Sequence, residues 1–222
     1  MNHRVIPVLG LYKGGLYKTK GFVHPQYVGD PINAVRVFNE KQVNELVVCG
    51  FRNSLEGHPP DLALLKEIAS EAFMPLAYIG GLNHMRQVQQ LVSMGYEKLG
   101  FLTAAFLQPE LVKESVNTLG SSSVIGCLDI RKNNPKGELS TYIRSGKEAL
   151  NMSVEKALDH LQSLGVGEIL INHMDRDGTQ EGYDTKLIEY VRPLVGVPLI
   201  YLGGAKSEQD MKQAAKLGVE GL

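Results

Sequence analysis

Two glycine pairs stand behind two apolar runs. Ile79-Gly80-Gly81 ends the run 75–79, and Gly203-Gly204-Ala205 ends the run 197–202. Glycine there lets backbone N–H groups approach an anion, and a helix beginning just beyond adds its positive end. One such pair is as readily a tight turn. Two at equivalent places imply a substrate with a phosphate at each end. Asp175-Arg176-Asp177-Gly178-Thr179 is a third candidate. Gly178 and Thr179 can offer N–H and hydroxyl donors to a phosphate while the acidic residues orient the loop; a solvated turn is the alternative. Asp129 closes the run 123–129. A carboxylate in that place is a general acid/base candidate, against a plain structural role.

The elements that must position these residues follow from hydropathy. Strand-sized apolar runs fall at 4–9, 45–50, 75–79, 98–103, 123–129, 168–173 and 197–202, with a stub at 219–222. Helix-period segments lie between them at 31–42, 60–72, 84–94, 109–119, 153–164, 184–195 and 207–217. Alternation of this kind predicts a parallel sheet covered by helices. Eight strand signals favour an α/β barrel, (β/α)₈, over an open sheet. In such barrels chemistry sits at the C-terminal ends of the strands.

An internal repeat supports closure. Residues 45–99 lie over 168–222 at a constant offset of 123: Glu45 on Glu168, Pro75 on Pro198, Gly80 on Gly203, Gly95 on Gly218. The run VIPVLG (5–10) likewise matches VIGCLD (124–129). Two half-barrel repeats of four strands are therefore expected within one domain, 1–222. The sequence ends at Leu222, inside the eighth strand signal. A barrel truncated there is expected to leave the first and seventh strands with open edges and to be poorly stable alone.

The chain has 222 residues, 43% hydrophobic content and a formal net charge of −1. No basic stripe suggests nucleic acid, no apolar run is long enough for a membrane span, and the N-terminus shows no secretory pattern. Cys49 and Cys127 lie in apolar runs without metal spacing, as expected of buried thiols in a reducing cytoplasm. The histidines show no metal-ligand spacing either, so no metal is expected from them.

RVIPVLGLYKGG, NELVV, IGGL, TAAF, CLDI, GEILINHMDRDGTQEGYD and LGGA together resemble the cyclase (HisF-type) subunit of imidazole glycerol phosphate synthase. The resemblance runs along essentially the whole chain. It implies a TIM barrel that accepts ammonia from a glutaminase docked at the N-terminal face and acts on a bisphosphorylated ribulosyl nucleotide. It implies no cofactor. By resemblance, Asp129 is one of two catalytic aspartates, and Lys18 is a substrate-closing lysine on the long loop 12–30. Thr103 joins Gly80, Gly81, Asp177, Gly178, Gly203 and Gly204 in holding phosphate.

Departures from the family pattern are concentrated at the mouth. The other catalytic aspartate is Gly10, and the aspartate ending the second strand is Gly50. The strand-four Asn is Leu102, the first strand-three glycine is Ile79, and the strand-six Thr is Asn172. Loss of one member of an acid/base pair typically costs about 10²–10⁴-fold in rate. His173 could supply a proton carrier, although strand parity turns it toward the helices.

The floor is retained. Arg4, Glu45, Lys98 and Glu168 match the family's charged ammonia gate. Parity supports this separately: Arg4 and Gly10, Lys98 and Leu102, and Glu168 and Asn172 each share a strand face. Ile6, Val8, Cys127 and Leu170 would line an apolar passage above. A structural ion-pair plug is the alternative. Glu97 matches a position at the glutaminase contact.

A retained conduit below an altered mouth resembles the paralogues found with surface-polysaccharide genes. Those work beside a glutaminase and a separate ATP-dependent sugar amidotransferase. The expected function is ammonia passage for amidination of a phosphorylated or nucleotide-linked sugar. A working histidine-pathway cyclase and a non-catalytic phosphate-binding scaffold are the alternatives.

Overall fold

The computed structural model describes residues 3–133 and 138–222. Its strands are β1 (Val8–Tyr12), β2 (Gly15–Lys20), β3 (Val23–Gly29), β4 (Leu46–Cys49), β5 (Leu76–Ile79) and β6 (Tyr96–Phe101). They continue with β7 (Val124–Lys132), β8 (Leu139–Ile143), β9 (Glu148–Ala149), β10 (Glu168–His173) and β11 (Leu199–Leu202). The helices are α1 (Pro31–Lys41), α2 (Asn53–Glu56), α3 (Leu62–Glu71), α4 (Met85–Ser93), α5 (Thr103–Leu107), α6 (Pro109–Leu119), α7 (Val154–Ser163), α8 (Thr185–Val191) and α9 (Glu208–Lys216). β1, β4, β5, β6, β7, β10 and β11 pair in that order, all in parallel, as expected of a (β/α)₈ barrel.

The expectation of open edges on the first and seventh strands is corrected by residues 219–222. Gly221 bridges Arg4 on one side and Ile200 on the other, both in parallel. Ile6 N–H donates to the Leu222 carbonyl at 2.8 Å, and Tyr201 N–H to the Gly221 carbonyl at 2.9 Å. Backbone pairing on both sides of this segment joins β11 to the residues leading into β1 and satisfies carbonyls that would otherwise lack partners.

Parity divides the strand side chains between two apolar clusters. Leu46, Val48, Tyr78, Leu99, Leu128, Ile169, Ile171, Leu199 and Tyr201 face the helices. Ile6, Val47, Ala77, Ile79, Ile125, Cys127, Leu170 and Ile200 fill the lumen, flanked by Cys49, Leu102 and Leu202. Val8, expected in the passage, stays 39% exposed and outside that cluster.

The helices form where sequence signals place them. In α7, Ser153 caps the first turn, accepting from Lys156 N–H, and Val154, Ala157, Leu158 and Leu161 are buried on one face. That is the i, i+3, i+4, i+7 spacing of an amphipathic helix, and each large aliphatic side chain so buried stabilises by roughly 1.5–3 kcal/mol. α1 starts with Asp30 as cap and Pro31 in the first turn, where a missing N–H costs nothing.

Two segments depart from the expected loops. The stretch 12–30 is a β-hairpin, β2 with β3, attached to β1 through Leu11–Leu16 and Tyr12–Gly15 pairing. Beyond Asp129, β7 runs on to Lys132 and is joined by the antiparallel β8 and β9. Both extensions stand at the C-terminal end of the barrel.

Candidate functional site

The four predicted floor charges meet. Arg4 Nη1 lies 2.7 Å from Glu45 Oε2 and Arg4 Nη2 lies 2.9 Å from Glu168 Oε1. Lys98 Nζ lies 3.0 Å from Glu45 Oε2 and 3.1 Å from Glu168 Oε2. Each charge therefore touches two of opposite sign. Burying a carboxylate as deep as Glu45, 3% exposed, is unfavourable unless such partners offset its lost hydration. Glu45 Oε1 nevertheless has no hydrogen-bond partner among the described residues. Directly above this ring lies the apolar lumen cluster. Glu97 is exposed on the same N-terminal face and lines a cavity of about 520 Å³ with Lys98, Ser122 and Ser123.

At the other end, Asp129 stands on β7 in register with Asn172 on β10. It is buried, 5% exposed. Burial and the neighbouring Asp177 carboxylate push its pKa up to about 7, against the hydrogen bond from Asn172 and the charge of Arg131. Asn172 Oδ1 is buried without a hydrogen-bond partner. Burial also raises the Asp177 carboxyl, while Thr19 donates to its Oδ2 at 2.6 Å. The structure thus brings Asp129, Asn172 and Asp177 together. Cys49 shares this environment: burial, then Asp129 and Asp177, push its thiol up to about 12, so it is no nucleophile at neutral pH.

Gly10 does not simply lack a carboxylate. A Cβ built on it would lie 2.6 Å from the backbone carbonyl oxygen of Tyr17 on the hairpin. At Gly50 a Cβ would meet Asn53 Nδ2 at 2.4 Å and the Tyr78 hydroxyl at 2.7 Å, and those two side chains are hydrogen-bonded to each other. The space of both missing aspartates is occupied.

The glycine pairs are related across the two halves. Gly80 has φ +117° and its Cβ would strike the Gly50 carbonyl oxygen at 2.5 Å. Gly203 has φ +103° and its Cβ would strike the His173 carbonyl oxygen at 2.6 Å. Gly50 and His173 are themselves 123 residues apart, the repeat offset. Glycine is required at both positions by the preceding strand's backbone, whether or not an anion binds there. Gly81 and Gly204 are also in the left-handed region, with φ +70° and +103°.

Other predicted residues are placed differently. The Thr103 hydroxyl starts α5 and accepts from Arg144 N–H at 3.1 Å. Lys18 is exposed on β2, opposite Gln26. Gly178 lies under the hairpin, whose Thr19 carbonyl oxygen is 2.0 Å from its would-be Cβ. His173 faces away from the lumen, as parity requires. Its Nδ1 lies 3.3 Å from the Tyr201 hydroxyl and 3.9 Å from Asp184, and burial lowers its pKa. No group of three or more His, Cys, Asp or Glu among the described residues is arranged to hold a metal.

The family profile described as "Histidine biosynthesis protein" matches residues 4–222. The chain belongs to this family. Within the histidine biosynthesis proteins it is 39% identical, over 99% of its length and 87% of the relative's, to a Leptospira interrogans protein named "Putative imidazole glycerol phosphate synthase subunit HisF". A Pseudomonas aeruginosa protein carrying the same name with the suffix hisF2 is 40% identical over 95% of this chain and 84% of its own. The Thermococcus onnurineus "Imidazole glycerol phosphate synthase subunit HisF" is 32% identical over 98% and 85%. The chain is a HisF-like synthase subunit. Sequence reasoning missed Thr19, which ties the hairpin to Asp177, and Tyr17, whose backbone fills the Gly10 position. The alternating pattern GLYKTK after Gly14 is the signal that could have revealed that strand.

Proposed function

We propose that this HisF-like subunit conducts ammonia from a glutaminase bound at its N-terminal face toward amidination of a phosphorylated or nucleotide-linked sugar. Ammonia is uncharged and small, and suits an apolar lumen behind a charge-balanced ring. Arg4, Glu45, Lys98 and Glu168 are the gate in this reading, and Glu97 belongs to the glutaminase contact. Gly80, Gly81, Thr103, Asp177, Gly178, Gly203 and Gly204 hold phosphate. Asp129, near neutrality in its titration, transfers protons, and Lys18 closes over the ligand. A separate ATP-dependent amidotransferase would consume the ammonia.

The observation that carries this reading is Tyr17 at Gly10. By the resemblance, the family's cyclisation needs two cooperating carboxylates, and here the hairpin backbone takes the place of one. A specific observation favours a second reading, a working cyclase: Asp129 is held at a pKa of about 7, where one group serves well as acid and base. Mixing with a candidate glutaminase separates the two. Conduction predicts stimulated glutamine hydrolysis and no turnover of the ribulosyl nucleotide with free ammonium. Turnover that disappears in Asp129→Asn would establish the cyclase instead.

A further inference from the structure

Asn172 carries a buried oxygen that no role above uses. It stands on β10 between Asp129 of β7 and Leu202 of β11, in register with both. Its side-chain nitrogen donates to the Asp129 carboxyl, which turns Oδ1 away from that group. Oδ1 is buried and meets no donor among the described residues. Two residues back on the same faces of the two strands are Leu170 and Cys127, members of the apolar lumen cluster. Cys49, Leu102 and Leu202 pack against that cluster from the sides.

Holding Asp129 in place accounts for the nitrogen of the Asn172 amide and leaves its oxygen unaccounted for. A buried carbonyl oxygen has lost its hydration, and only a donor small enough to enter the lumen can restore the hydrogen bond. Asp129 offers a second acceptor beside it. Neighbouring strands lie about 4.8 Å apart. Two N–H···O bonds of about 2.9 Å meeting at one nitrogen reach across about 6 Å at most. One molecule with several N–H bonds therefore spans both oxygens. The charges facing Asp129 are the Asp177 carboxylate, which favours a cation there, and the Arg131 guanidinium, which opposes one. The Cys49 and Cys127 thiols also face it, and burial keeps both protonated.

We propose that Asn172 Oδ1 and the Asp129 carboxyl together form the receiving site for ammonia at the upper end of the lumen. The inference deepens the conduction reading and rests on it for the supply of ammonia. A carboxyl with ammonia and a carboxylate with ammonium carry the same number of protons, so the site holds the molecule in either form. The Asn172 carbonyl orients the N–H bonds without taking or giving a proton.

The test follows the Asp129 carboxyl by NMR in the intact chain with isotope-labelled aspartate, its signal assigned by its loss in Asp129→Asn. Titrations are run in ammonium chloride and in potassium chloride at equal concentration. Potassium matches ammonium closely in size and charge but has no N–H. At about 0.1 M salt, the apparent pKa should lie at least about 0.5 lower in ammonium, the linkage expected when ammonium stands at twice its Kd. Asn172→Leu keeps the bulk and removes the oxygen, and should abolish the difference; Asn172→Ala serves the same comparison should the leucine variant not fold. Equal values in the two salts for the intact chain overturn the proposal. So does a difference that survives loss of the Asn172 side chain, because Asp129 alone then binds. Ammonium binding without stimulation of the glutaminase leaves this site standing and removes conduction, and stimulation without ammonium binding does the reverse.

Discussion

The backbone carbonyl of Tyr17 occupies the direction in which any side chain at Gly10 must project. The contact would be 2.6 Å from oxygen to Cβ, against a backbone atom that cannot rotate away. The loss of a carboxylate and the position of the hairpin are therefore one change, not two.

Restoring the acid should fail. Gly10→Asp is expected to lower stability by about 1–3 kcal/mol, as overpacking does, and to gain no cyclase activity. Thermal melting and a ribulosyl-nucleotide assay check both parts. A Gly10→Asp protein that melts unchanged and turns over substrate would contradict the hairpin's placement.

The charged ring should behave as a unit. Lys98→Met leaves Glu45 and Glu168 facing each other with Arg4 as their one remaining partner in the ring. A loss of about 3–5 kcal/mol is expected, because a buried carboxylate is left undercompensated. Lys98→Met combined with Glu45→Leu should recover much of that loss. Denaturant titration of the single and double variants measures the coupling, and simple additivity would show that the ring is not a ring in solution.

Asp129 gives a pH signature with a definite sign. Its folded pKa of about 7 lies above the ordinary 3.8. Between those values the folded chain holds a proton that the unfolded chain has released, so this group's contribution falls as pH rises through 7. Asp129→Asn should stabilise at pH 8, by roughly 4 kcal/mol at most, and its advantage should shrink toward pH 4. Melting of both proteins across that range decides it; a constant difference would mean an ordinary carboxylate.

Phe73 should matter for association and not for folding. It is 88% exposed in the connection between α3 and β5, on the same face as the ring. A bare aromatic side chain of this kind commonly anchors a partner. Phe73→Glu is expected to weaken glutaminase binding about tenfold or more while changing stability by less than about 0.5 kcal/mol. Surface plasmon resonance against the glutaminase, with melting as control, measures the two separately.

The lumen was legible in the sequence because period-two parity is rigid. Ile6, Cys127 and Leu170 fell where parity placed them, whereas Val8, expected beside them, stays exposed and outside the lumen cluster. The repeat also carried through to atomic contacts: Gly80 rests on Gly50 as Gly203 rests on His173. The rim was less legible. GLYKTK and LSTYI alternate, but each is short and polar enough to pass for loop, and their pairing depends on partners distant in sequence. The stub at 219–222 was legible as the eighth strand signal, but not that so short a piece would pair with both its neighbours, because that rests on backbone hydrogen bonds.

One consequence follows from Thr19. Its hydroxyl holds the Asp177 carboxylate and its carbonyl oxygen presses on Gly178. If phosphate is held at Asp177 and Gly178 as proposed, it must displace Thr19 from both, and its entry can then be no faster than the hairpin's release.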